Sequence, residues 1–175
     1  MEKVNFFDSK LFNENAEKTF ELHKNKIKKL IPEVDIQHVG STAIPNSVTK
    51  GDLDLQVRVS AEQFPKAVEL LSSLYEGNDE SIKTDTFRAF KDDTTNPPLG
   101  VQLTAIDSEF DFLWKFREVL LANNKYRDEY DNLKKEYEGK SMDAYREAKD
   151  KFFQGLMETP EFKKYEKQPH SLNRI

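Results

Sequence analysis

From Asp52 to Val59 the chain alternates without exception: Leu53, Leu55, Val57 and Val59 are apolar, and Asp52, Asp54, Gln56 and Arg58 are polar. A period of two is the repeat of a β-strand, whose successive side chains leave opposite faces. The chain must therefore contain a sheet with one apolar face, packed on a core, and one wholly polar face.

Around this strand the pattern predicts a mixture of elements. Asp8 to Ile31 reads as a helix, with Phe12, Ala16, Phe20, Ile27 and Ile31 near helical spacing, Pro32 as its stop and Lys24 to Lys29 as a solvated face. Val34 to Val39 is a strand ending at Gly40-Ser41, and Pro45 and Asn46 confine Thr42 to Ser47 to a turn or one short helical segment. A helix from Ser60 carries Phe64, Val68, Leu71 and Tyr75, with Gly77 at its C-terminal cap. Thr86 to Lys91 and Leu99 to Ile106 are strands joined by the breaker-rich segment DDTTNPP.

The last third is helical. Ser108 and Asp111 form a capping-box start before Phe112, Phe116 and Leu120, and Asn123-Asn124 interrupt the run. One further helix carries Tyr126, Tyr130, Leu133 and Tyr137 before Gly139; another runs from Ser141 through Tyr145, Ala148, Phe152 and Leu156. The tail after Pro160 reads as short, polar and peripheral. With no repeat or low-complexity linker, the expectation is a single α+β domain over residues 1–175, with helices 108–157 packed on the core.

Composition narrows the function. A chain of 175 residues can bury roughly 70% of its unfolded surface, and its 13 phenylalanines are expected to build the core. The absence of cysteine removes disulfides, thiolate metal sites and thiol catalysis, and three histidines (His23, His38, His170) leave little for a histidine-rich zinc site. A formal charge of −5 gives no net drive toward long nucleic acid, so a small anionic ligand fits better. No run of about 18 apolar residues is present, and the N-terminus lacks the apolar core of a secretory signal, which makes the cytoplasm the expected compartment.

The chemistry concentrates near the alternating strand. Asp52 and Asp54, two apart, leave the same face with Cα atoms about 6.5–7 Å apart, so both carboxylates can converge on one divalent cation. Mg²⁺, or Mn²⁺ in its place, takes hard oxygen ligands and leaves further positions to water and substrate phosphates. Gly40-Ser41, with Thr42 beside them, supply a close backbone approach and hydroxyl donors for such a phosphate. Separately these are a solvated face and an ordinary turn; together they suggest a nucleotide site.

At these residues a resemblance appears. HVGSTAIP followed by KGDLDLQV resembles the glycine-serine and acidic-strand motif of the GrpB family. GVQLTAI resembles its later strand, FLWKFREVLLAN its Phe-Arg helix and DAYREAKDKF its Tyr-x-x-x-Lys helix, so the likeness runs from about Phe7 to Leu156. It implies a nucleotidyltransferase-like mixed sheet flanked by helices, in a family whose physiological reaction is generally unassigned. It also implies that Gly40 and Ser41 handle phosphate and that Asp54 is the acidic residue the family usually keeps, while Asp52 stands where many relatives carry an apolar residue. Nucleotidyltransferases usually add a third carboxylate from a neighbouring strand, where this chain offers Gln102 and Thr104. Asp107 has the wrong parity, and Asp85, Asp92, Asp93 and Glu109 fall in loops or strand ends, which leaves a two-metal site short of a ligand.

Other residues carry two readings each. His38 either orients a ligand or is a hydrogen-bonded structural histidine; Lys50 either touches phosphate or is a loop lysine in water. Arg88, facing away from Phe87 and Ala89, is placed on the polar face with Asp54 as a phosphate ligand, or is an exposed sheet arginine. Tyr145, Lys149 and Phe153 share a stripe at i, i+4, i+8, so Lys149 must snorkel or find an anion, and snorkelling is the simpler account of Arg117 between Leu113 and Leu121. The leading expectation is a metal-dependent enzyme transferring a nucleotidyl group from a nucleoside triphosphate to an unidentified acceptor. The alternative is a non-catalytic nucleotide- or phosphometabolite-binding module, a role compatible with the resemblance, since family domains occur fused to a coenzyme A-pathway kinase.

Overall fold

The computed structural model of the protein describes residues 1–166; His170 and the rest of the tail lie outside the described residues. In chain order the elements are β1 (Phe7–Asp8), α1 (Asn13–Leu30), β2 (Asp35–Val39), β3 (Val48–Thr49), β4 (Leu53–Val59) and α2 (Phe64–Ser72). There follow β5 (Glu76–Gly77), β6 (Phe87–Asp92), β7 (Leu99–Ala105), α3 (Leu113–Ala122), α4 (Asn124–Tyr137), α5 (Met142–Met157) and α6 (Pro160–Glu166). The architecture is α+β: a five-stranded mixed sheet in the order β2-β4-β7-β6-β5, with β4 and β7 parallel and every other pair antiparallel, plus the small pair β1-β3.

The alternation in β4 divides the molecule. Leu53, Leu55, Val57 and Val59 are fully buried with Val101 and Leu103 of β7, against Ile27 and Ile31 of the α1 side and Phe64, Ala67 and Leu71 of α2. This core is mainly aliphatic. Only Phe64, Phe90, Phe116 and Phe162 among the described phenylalanines are buried; rings instead build a second cluster in the helical layer, where Phe116 and Phe162 pack with Tyr130 and the half-buried Phe112, Phe152 and Phe153.

The polar face is covered as well. Register places Asp35, Gln37 and Val39 of β2 beside Arg58, Gln56 and Asp54, which lie beside Thr104, Gln102 and Gly100 of β7. Gln56 is 0% and Arg58 8% exposed. The buried guanidinium is forked by Asp111, Nε donating to Oδ1 at 2.7 Å and Nη2 to Oδ2 at 2.8 Å, while Nη1 donates to Asp35. Gln56 donates to Asp111 Oδ1 and Thr104 Oγ1, both at 3.0 Å, and accepts from the Trp114 amide at 2.9 Å. Asp111 is thus no helix cap: its carboxylate is taken by Arg58, Gln56 and the Asp107 amide, because a buried cation needs its anion more than a helix end needs a cap. The N-cap of α3 is Phe112, with no side-chain cap bond.

Other boundaries move for similar tertiary reasons. Asp8 pairs in β1 and caps a 3₁₀ turn at Ser9–Leu11, so α1 begins later than Asp8. Gly77 lies in β5 rather than capping α2, which ends at Ser72. The chain after Pro160 forms α6, whose Phe162 is 1% exposed against Phe116, so this segment is not peripheral. Lys134 of α4, fully buried, donates to Ser47 Oγ at 3.1 Å and to the Val48 carbonyl and pairs with Asp131 at 3.1 Å, which ties the segment around β3 to the helical layer. No helix among the described residues is long and apolar enough to cross a membrane.

Candidate functional site

Between the polar sheet face and the helical layer lies a cavity of about 370 Å³. Its polar wall combines Gly40 and Ser41 after β2, Lys50 and Asp52 before β4, Asp54 of β4, Gln102 of β7, and Tyr130, Tyr145 and Lys149 from α4 and α5. Its apolar wall includes Phe87, Phe112, Phe116 and Phe153. The stripe Tyr145–Lys149–Phe153 is therefore a cavity wall.

Asp54 sits in a slot made by two glycines. A Cβ on Gly40 would lie 2.4 Å from Oδ2, and one on Gly100 would lie 2.9 Å from Oδ1. Both are closer than real Cβ contacts, so each oxygen is approached by bare backbone where any other residue would block it. Gly40 has φ 78° and ψ −173°, a conformation open essentially to glycine alone. Burial raises the Asp54 carboxyl above its ordinary value; Lys149, Lys50 and a hydrogen bond from Gln102 oppose the shift and Asp52 adds to it, but burial wins. Lys50 holds Asp52 at 3.3 Å.

Gly40→Ala should therefore lose divalent-cation binding outright and destabilise the fold by about 1–3 kcal/mol from backbone strain alone. Calorimetric titration with Mg²⁺ and a thermal melt check both halves; an alanine variant that binds Mg²⁺ normally would show that the slot is irrelevant.

Four of the residues singled out in the sequence are not on this cavity. Arg88 pairs in register with Leu103, on the apolar side of the sheet; Phe87 takes the Asp54 side instead, its ring 5.3 Å from Phe110. His38 pairs with Leu55 and so faces α1, stacked 5.3 Å from Phe20. Its Nε2 lies 2.9 Å from Thr42 Oγ1, and that hydroxyl donates its one proton to the Asp52 carbonyl at 3.2 Å, so His38 Nε2 is the donor. Burial, then Arg117, pulls the imidazole down to about 4, which keeps it uncharged at neutral pH. Thr42, 6% exposed, thus braces the Asp52 backbone, and Thr104, 0% exposed, serves Gln56. Arg117 does not merely snorkel: Nη1 donates to Gln37 Oε1 at 2.9 Å and to the His38 carbonyl at 3.0 Å, pinning α3 to β2 beside the cavity.

Tyr130 and Gly100 escaped the sequence reading. Tyr130 sits on an aromatic stripe that reads as core; Gly100 carries a weak signal, since a glycine inside a strand often marks a close approach. Gly100 stands opposite Asp54 on the parallel neighbour, with Gln102 next on that face. Among the described residues no group of three or more histidine or carboxylate side chains could hold a metal ion. The slot around Asp54, a burial that Lys149 and Lys50 offset only in part, and the adjacent Asp52 fit one hard divalent cation whose other positions fall to water and ligand oxygens.

The family model described as GrpB protein matches residues 11–159. The chain is 31% identical over 160 residues to a UPF0157 protein of Vibrio cholerae, covering 89% of this chain and 83% of that one. A crystal structure of conserved protein GrpB from Enterococcus faecalis superposes with TM-score 0.63 at 20% identity, over 91% of this chain and 98% of that one. A looser overlap, TM-score 0.45 at 10% identity, covers 71% of this chain and 43% of the Cid1 poly(U) polymerase. At that level of overlap neither fold nor activity passes from one protein to the other.

Proposed function

We propose that this chain, which belongs to the GrpB family, binds a nucleoside triphosphate through one Mg²⁺ and transfers its nucleotidyl group to an acceptor hydroxyl. What supports this is the geometry at Asp54: a carboxylate lodged between two glycines, beside Asp52, on a cavity that also holds Ser41 and Lys149. Asp52 and Asp54 would hold the metal, which neutralises charge on the phosphates and on departing pyrophosphate. The Ser41 hydroxyl donates to a phosphate oxygen, and Lys149, part-buried and open to the cavity, supplies a cation where solvent screening is weak. Lys50 keeps Asp52 oriented until ligand arrives.

A second reading, a binding module without transfer, draws on one observation: β7 sets Gly100 and Gln102, not a carboxylate, beside Asp54 and Gln56. Pyrophosphate release separates the two, since a binding module retains the triphosphate intact.

Calorimetric titration with Mg²⁺ and each common nucleoside triphosphate tests the site. Lys149→Met keeps the aliphatic stem and removes the charge, so affinity should fall about tenfold or more beyond what any change in the unliganded melting temperature accounts for, the worth of a hydrogen bond to a charged group being about 1.5–3 kcal/mol. A wild-type protein that binds none of these ligands, or a Lys149→Met variant of unchanged affinity, would refute the assignment.

A further inference from the structure

Tyr130 lines the cavity although it is only 4% exposed. Its hydroxyl lies 3.4 Å from the Tyr145 hydroxyl, and Ser41 and Lys149 line the same cavity. The ring is stacked on Phe152 at 5.2 Å, so its position is fixed by packing. Lys134 places its ammonium 4.0 Å from the ring centroid. The aromatic packing accounts for a ring here, but not for a hydroxyl on a cavity that also holds Ser41 and Lys149.

We propose that Tyr130 is a phosphate ligand of this cavity, its hydroxyl donating to the same phosphate group that Ser41 and Lys149 contact. The proposal rests on the triphosphate reading and adds to it a residue and a proton.

The charged groups facing the phenol come from every side. Lys134, paired with Asp131, lies on its own helix; Tyr145 and Lys149 come from α5; Ser41 comes from the turn after β2; Asp54, Asp52 and Asp150 act on it through Lys149. Burial alone would push the phenol up, yet Lys149 and then Lys134, helped by Tyr145 and Ser41, hold it below its ordinary value of 10.0. Without ligand the phenol, once ionised, is a counter-anion to the Lys149 ammonium. A bound phosphate takes over that task and repels a phenolate, so the ligand complex keeps the proton on Tyr130. Binding above the free-protein pKa must draw a proton from solvent, and affinity must fall about tenfold for each pH unit beyond it.

The test is calorimetric titration with Mg²⁺-ATP and, separately, Mg²⁺-tripolyphosphate at about pH 8 and about pH 9, with Mg²⁺ in excess so that the ligand's own last phosphate proton is already displaced. Running each in two buffers of different ionisation enthalpy counts the protons exchanged. Wild type should take up protons, more at the higher pH. Tyr130→Phe, which keeps the ring and should keep the melting temperature, should bind about tenfold or more weakly at neutral pH, with an uptake that no longer rises with pH. In the unliganded protein the tyrosinate absorption band should show one transition below the ordinary phenol range, absent in Tyr130→Phe and shifted upward in Lys149→Met. Binding with the same pH-dependent proton count in both proteins overturns the role of Tyr130 and leaves the phosphate site standing. Failure of wild type to bind either ligand overturns the phosphate site and Tyr130 with it.

Discussion

Asp54→Asn should abolish Mg²⁺ binding and, in the same protein without metal, raise the melting temperature at neutral pH. The carboxyl of Asp54 is raised above its ordinary value chiefly by burial, so the fold favours its protonated form. A group of this kind contributes stability that is fully present below its unfolded pKa of about 3.9 and is lost as pH rises through the folded value. Once ionised, the wild-type side chain is a buried carboxylate incompletely neutralised by Lys149 and Lys50, whereas asparagine is neutral throughout. The gap between variant and wild type should close as pH falls toward about 4 and widen as pH rises toward the folded value. Adding Mg²⁺ should reverse the order, because a ligand that binds only the folded state stabilises it. Melting curves with a chelator and with Mg²⁺, over a pH series, give both results. An asparagine variant that is less stable with chelator, or one still stabilised by Mg²⁺, would remove Asp54 from the metal site.

A loss of about 3–5 kcal/mol is expected for Asp111→Ala, the largest change in stability that a single side chain here should produce. The substitution removes both contacts of a forked ion pair, 2.7 and 2.8 Å, and leaves Arg58, 8% exposed, with Asp35 as its remaining anion. It also takes an acceptor from Gln56 and from the Asp107 amide. For a chain of this size the melting temperature should drop by roughly 6–20 °C. Adding Arg58→Met should recover part of the loss, since the damage comes largely from the stranded cation rather than the missing anion. If the double variant is as unstable as the sum of the single ones, the pair is not coupled as its geometry implies.

What could be seen in advance follows from how local each signal is. The strand at β4, the acidic pair on one face and the Gly40-Ser41 turn are consequences of spacing along a few residues, and Lys149 was conspicuous as a cation on an aromatic stripe. The fate of the polar face was not legible. An alternating strand says that Gln56 and Arg58 leave the same side, but only the return of residues 107–114 across the sheet decides that this side is buried. The same holds for Arg88: parity separated it from Phe87 correctly, yet which of the two faces Asp54 depends on a register with β7 that no short window contains. Asp111 read as a cap because its spacing from Ser108 allows one, and a tertiary demand overrode it. Tyr130 was hidden for a different reason, since a buried ligand and a core aromatic have the same helical periodicity.

The polar inner face also bears on how the chain is made. Synthesis proceeds from the N-terminus, and every strand of the sheet has emerged before the first residue of the helices that cover this face. During that interval a face built as Leu53, Leu55 and Val57 are would invite association between unfinished chains. Instead the waiting side offers Asp35, Gln37, Asp54, Gln56, Arg58, Gln102 and Thr104, all of which water can satisfy. The half-made protein is thereby wettable on its uncovered side, and the arrival of Asp111 converts a hydrated surface into an interior.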